Sequence, residues 1–151
     1  MSLRSVCVTA LLATVFAASV AGADPGVVIA PATSPPEVDA RTRASFQDKV
    51  KREVASDTTA TKLDGYTLYP RLIQVRRYRE NDAESLTVVC VVELVLTARD
   101  GRIVARTRGT ASSAGATQEQ VLEVATHGAT TRLSAGLAAN AGGPKRKVAG
   151  R

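Results

Sequence analysis

The chain has no tryptophan, one methionine and one histidine among 151 residues, and only 3% of it is aromatic. Each shortage closes off a chemistry. Without tryptophan, a small chain has few resources for a sugar-binding cleft. The single histidine, His127, sits mid-helix beside Gly128 with no nucleophile in pattern around it, so a triad lacks its parts. Cysteine is equally scarce. Cys7 falls in the N-terminal leader, which leaves Cys90 alone and excludes an intramolecular disulfide in the remainder. One histidine and one cysteine do not make a zinc set. The acidic residues are scattered without calcium-loop spacing, and no G-x-S-x-G elbow occurs. Gly109, Gly115, Gly128 and Gly136 are too far apart to cradle a phosphate as a glycine-rich loop does. No cofactor or metal is therefore expected, and no catalytic residue is assigned.

A long hydrophobic run is also missing. The apolar stretch Val6–Val20 follows one positive charge, Arg4, and gives way to Ala21-Gly22-Ala23. It is short for a bilayer span, which needs roughly 20 residues. A positive start, an apolar middle and small residues at the end are the pattern of a secretory signal peptide. Residues 1–23 are read as that peptide, with cleavage after Ala23; a retained anchor helix is the alternative. The expected location is exported, periplasmic or extracellular, with no transmembrane span once the leader is removed.

The charge is uneven along the chain. The formal net charge is +6; without Arg4 it is +5, and without Lys145, Arg146, Lys147 and Arg151 it is +1. Residues 141–151 open on a break at Gly142-Gly143-Pro144 and continue with no apolar pattern, so they read as a disordered basic tail. The body is nearly neutral, and that argues against nucleic acid as a partner. The tail could touch an anionic surface or serve only as a solvated end.

Residues 24–140 fit one α+β domain. Val27–Ala30 reads as a brief strand. Ser34, Pro35 and Glu37 carry helix-start spacing, with Ser34 as the cap. Val38, Thr42, Phe46, Val50 and Val54 then form one stripe of an amphipathic helix over about 38–55. A strand runs from Tyr66 to Arg79. Its apolar parity changes between Leu68 and Ile73, which calls for a bulge, and Pro70 asks for an edge or an irregularity. Thr117 and Gln120 match a capping box for a last helix, whose stripe is Leu122, Ala125, Ala129, Leu133 and Leu137.

The segment TVVCVVELVLTARDGRIVARTRG, residues 87–109, reads as a hairpin turning at Asp100-Gly101. A two-residue turn makes paired positions sum to 201. One face then pairs Ala98 with Ile103, Leu96 with Ala105, Leu94 with Thr107, Val92 with Gly109 and Cys90 with Ala111, free of charge. The other pairs Thr97 with Val104, Val95 with Arg106, Glu93 with Arg108 and Val91 with Thr110. Glu93 and Arg108 are thus cross-strand neighbours, a pair worth about 0.2–1 kcal/mol. Cys90 falls on the buried face and reads as a small core hydrophobe.

The order β-α-β-β-β-α implies a two-layer sandwich: a mainly antiparallel sheet with both helices on one face. In size, leader and element order, residues 27–139 resemble small periplasmic accessory proteins of envelope assembly and transport, of the lipopolysaccharide-assembly lipoprotein type. That resemblance implies an envelope accessory role. It carries no functional residues, and lipid anchoring is not carried over because Cys7 precedes the apolar run.

The outward sheet face is the candidate interface. Val89, Val91, Val95 and Val104 share it with Arg106 and Arg108, and Arg71 and Arg77 join it or not according to the bulge. Strands apolar on both faces tend to be covered on both, and arginine among apolar residues suits interfaces. The expected role is a non-catalytic exported binding or assembly domain, its partner an envelope protein or a second copy. A small periplasmic hydrolase, and a binder of anionic surfaces through Lys145, Arg146, Lys147 and Arg151, are the alternatives.

Overall fold

A computed structural model describes residues 26–79 and 84–141. The leader, residues 1–23, and all four tail cations lie outside the described residues. The elements run β1 (Val28–Ile29), α1 (Ala40–Ser56), β2 (Tyr66–Tyr78), β3 (Thr87–Ala98), β4 (Ile103–Ala114) and α2 (Gln118–Ala141), with one 3-10 turn at Ala60–Lys62 before β2. The sheet order is β1-β2-β3-β4; β1 pairs parallel with β2, and the other pairings are antiparallel. Both helices pack on one face, so the fold is the α+β two-layer sandwich that the element order implies.

The start of α1 differs from expectation. Asp39, not Ser34, is the cap: its Oδ1 accepts from Thr42 N at 2.7 Å. A carboxylate there meets an orphan amide and the positive end of the helix together. Ser34 lies upstream, its Oγ buried without a hydrogen-bond partner among the described residues. The stripe itself is as expected, with Phe46, Val50 and Val54 buried. At α2 the capping box forms in both directions. Gln120 Oε1 accepts from Thr117 N at 2.9 Å, and Gln120 N donates to Thr117 Oγ1 at 3.3 Å.

The β2 bulge lies between Leu72 and Gln74. Leu68, Pro70 and Leu72 face the core before it, and Val75 packs against the core after it. Pro70 does not lie on a free edge. Its carbonyl accepts from Thr33 N at 3.1 Å, so its missing donor faces the irregular chain after β1 and leaves the β3 ladder whole.

The hairpin register holds from Thr87–Ala114 to Leu96–Ala105, every pair summing to 201. It fails at the turn. Gly101 N donates to Ala98 O and Ala98 N donates to Arg102 O, both at 2.9 Å, so Arg99, Asp100 and Gly101 form a three-residue loop. Gly101 supplies the left-handed residue at φ +80°. Thr97 pairs with Ile103, not Val104. Val104 falls in the resulting irregularity and packs with Ala105 against the core. The loop shifts the register by one residue and the bulge shifts it back.

The helices are close and parallel. A Cβ added to Gly109 of β4 would lie 1.8 Å from Ala125 O, so the backbone of α2 rests on that glycine. The small residues Ala125 and Ala129 permit this approach, and Thr107 Oγ1 donates to Ala129 O at 3.1 Å. Four polar contacts join α1 to α2 in order: Thr42 to Gln118, Ser45 to Glu119, Lys49 to Glu123 and Glu53 to His127. Their sequence separations are 76, 74, 74 and 74, which only helices running in the same direction can give.

Candidate functional site

With both helices on one side, the other sheet face carries no described helix. Strand alternation sends Val89, Val91, Glu93, Val95 and Thr97 of β3 to it. Tyr69, Arg71, Gln74 and Arg76 come from β2, and Ile103, Arg106, Arg108 and Thr110 from β4. Val89, Val91 and Val95 are half-buried there, whereas Tyr69 and Ile103 are exposed. Val104 does not belong to this face, for the reason given above. The β2 bulge decides the other two arginines. Arg71 precedes it and stands opposite Glu93. Arg77 follows it, stands opposite Val88 on the helix side, and donates to Gln118 Oε1 at 2.6 Å. Arg102 stays at the turn, 3.8 Å from Asp100.

Glu93 is the centre of the face. Its side chain is 2% exposed although it points away from the core. Arg106 Nε donates to its Oε1 at 2.8 Å, and Arg71 Nη1 to its Oε2 at 3.3 Å. Arg108 Nη2 lies 3.6 Å from Oε1. The three arginine side chains remain 52%, 59% and 58% exposed for Arg71, Arg106 and Arg108. A buried carboxylate thus lies under three half-exposed guanidiniums. The hydrogen bond from Arg106 holds its carboxyl below the usual range. Burial opposes this, and the charges of Arg106, Arg71 and Arg108 lower it further. A carboxylate kept ionised and sealed in this way is a poor proton acceptor; it holds like charges together.

Sequence pairing finds Glu93 with Arg108 but misses its shorter contacts. Arg106 is a diagonal neighbour from β4, and Arg71 comes from a strand whose register depends on the bulge. The parity change in β2 was the available signal for Arg71. Nothing in the one-dimensional pattern singles out the diagonal.

The remaining candidate groups are engaged elsewhere. Cys90 is fully buried, and burial pushes its thiol up to about 11, well away from the reactive range. His127 Nδ1 lies 3.0 Å from Glu53 Oε2 on the exposed helix pair, and no hydroxyl among the described residues is bonded to its ring. A cleft of about 320 Å³ opens between the helix N-termini, lined in part by Asp39, Thr42, Arg77 and Gln118. Several of its polar groups are bonded to one another, Arg77 to Gln118 and Gln118 to Thr42 among them. Among the described residues no three His, Cys, Asp or Glu side chains are placed to hold a metal ion, and no helix is long and apolar enough to cross a membrane.

No family model matches the chain, and no curated protein matches it. Solved structures do resemble it. A candidate lipoprotein from Caulobacter crescentus is 18% identical with a TM-score of 0.48, covering 77% of this chain and 93% of that one. A minor lipoprotein from Acinetobacter baumannii is 11% identical with a TM-score of 0.48, covering 78% and 95%. A lipoprotein from Neisseria meningitidis is 11% identical with a TM-score of 0.40, covering 78% and 98%. No role is carried over from them.

Proposed function

We propose that this chain is an exported, non-catalytic binding domain of the cell envelope that engages another envelope component through its open sheet face. The observation that supports this most is the arrangement over Glu93: three guanidiniums gathered on a valine-lined surface, with both described α-helices packed on the opposite side. Arginine set among apolar residues is the composition of an interface core, since it stacks and forks hydrogen bonds where lysine does not. The leader pattern of residues 1–23 supports export.

The test is a crosslinking pull-down from the native envelope with the wild-type chain and two variants, Val91→Glu and Arg106→Glu. The far-UV spectrum of each variant is recorded beside that of wild type, because Arg106→Glu also removes the hydrogen bond that Glu93 Oε1 accepts. Both lose the captured component. Capture equal to wild type by both folded variants would sink the sheet-face reading.

A further inference from the structure

We propose that Arg71, Arg106 and Arg108 form a binding site for a compact, doubly charged oxyanion of the phosphate-monoester class, with Glu93 as their buried positioning residue. The proposal rests on reading the open face as the binding surface and adds the chemistry of what it binds.

Charge is the first ground. Residues 24–140 contain 15 Lys and Arg against 14 Asp and Glu, a net +1. Among the described residues, which hold 11 of those acids and all 15 bases, the open face carries Arg71, Arg76, Arg106 and Arg108 against Glu93, a net +3 out of a total of +4. The basic character of the described residues is therefore gathered on one face, and the one acid among the described residues of that face is hidden from solvent.

Geometry is the second ground. The arginines come from two strands on either side of β3 and converge on a single carboxylate. Convergence on one point suits a small anion with several charges. An extended acidic peptide would call for cations spaced along its length. The bracket of three guanidiniums and one carboxylate has a net charge of +2, which matches a phosphate monoester dianion. Each guanidinium has more N–H donors than Glu93 uses. Arg71 and Arg106 each direct one hydrogen bond to it, and Arg108 approaches only to 3.6 Å. The unused donors face solvent on side chains that are more than half exposed. Planar guanidiniums drawn to one carboxylate are well suited to fork onto phosphate oxygens.

Glu93 lets the site exist before the ligand arrives. Three cations this close repel one another, and a carboxylate beneath them offsets that repulsion without occupying the outer surface. The ligand then meets arginines already gathered and loses less side-chain entropy on binding. The valines on β3 and exposed Tyr69 supply an apolar rim for whatever carries the phosphate.

The experiment titrates the full-length protein with inorganic phosphate against chloride at constant ionic strength, reading backbone amide shifts. Expected is saturable movement centred on residues 91–95 and 106–108. Arg71→Gln and Arg106→Gln each weaken binding roughly tenfold, the size of one charge-assisted hydrogen bond. Arg99→Gln, at the turn beside Asp64, leaves it unchanged. Flotation with phosphatidic acid vesicles, and with phosphatidylcholine vesicles as the blank, separates the sources. Retention that survives truncation after Gly143 but is lost in the Arg71→Gln/Arg106→Gln chain supports a lipid-borne phosphate. Phosphate binding without such retention supports a soluble phosphate ester. No saturable phosphate response, or an Arg106→Gln titration equal to wild type, overturns the proposal. If Arg106→Glu still abolishes envelope capture in that case, the binding face stands and only its assigned chemistry falls.

Discussion

Arg106 stands opposite Val95 in the β3–β4 ladder, yet its Nε lies 2.8 Å from Glu93 Oε1. Arg108, which is directly opposite Glu93, approaches no nearer than 3.6 Å. The diagonal contact is the shorter one, and it makes Glu93 the shared counter-ion of two neighbours on β4. Long side chains reach diagonal positions readily on a sheet.

The depressed carboxyl of Glu93 fixes a pH dependence. Its folded value lies below the ordinary 4.5. Its contribution is therefore complete above the unfolded value and is lost as pH falls through the folded one. Glu93→Gln should cost about 1–2 kcal/mol near neutrality, the range of a charge-assisted hydrogen bond discounted for half-exposed partners. Urea unfolding from pH 7 downward checks this. The gap between wild type and variant stays level to about pH 4.5 and narrows below it. A constant gap at every pH contradicts the assignment.

Gly109 and Gly128 should respond to alanine with opposite signs. At Gly109 the new methyl meets Ala125 O at 1.8 Å and backbone atoms on either side at 2.9 Å, none of which can yield without moving α2. A loss of about 3 kcal/mol is expected, the upper range for overpacking. Gly128 lies inside α2 with open space around its missing Cβ. There the same change should gain about 0.5–1 kcal/mol from helix propensity. Thermal unfolding of the two variants gives both signs.

Two candidate caps precede α1, and only one is used. Asp39→Ala should lower the urea midpoint, since it removes the acceptors of Thr42 N and Thr42 Oγ1. Ser34→Ala should leave the midpoint unchanged or raise it, because its Oγ is buried without a partner. A drop for Ser34→Ala equal to that for Asp39→Ala would return the capping role to Ser34.

Cys90 should label only when the protein opens. In a Cys7→Ser background it is the one remaining thiol. Its burial and raised pKa predict negligible reaction with an aromatic disulfide reagent at pH 8 in native buffer, and full reaction in urea. Rapid native labelling would place Cys90 outside the core.

Much of this architecture is legible in the residues, and its failures are local. The parity change between Leu68 and Ile73 marks the β2 bulge because a one-residue slip turns every later side chain over. The hairpin register is legible because one assignment satisfies both faces from Thr87 to Leu96. The turn is not legible for a related reason. A three-residue loop and a bulge at Val104 are equal and opposite shifts, so every pair beyond them reads the same with or without both. Only Val104 and Ile103 reveal the difference, and both are apolar. Ser34 and Asp39 are both good capping residues, and the choice between them is made by tertiary placement of the chain after β1. The bracket around Glu93 needs three strands in register at once, which no single segment encodes.

Every rung of the α1–α2 ladder joins residues at least 74 positions apart. Loop closure over such a span must come before the contacts that reward it. α1 is made early but has no partner helix until β2, β3, β4 and α2 have followed. Phe46, Val50 and Val54 have no cover from α2 during that interval. Native order at the front of the chain is thus deferred to the synthesis of its last helix.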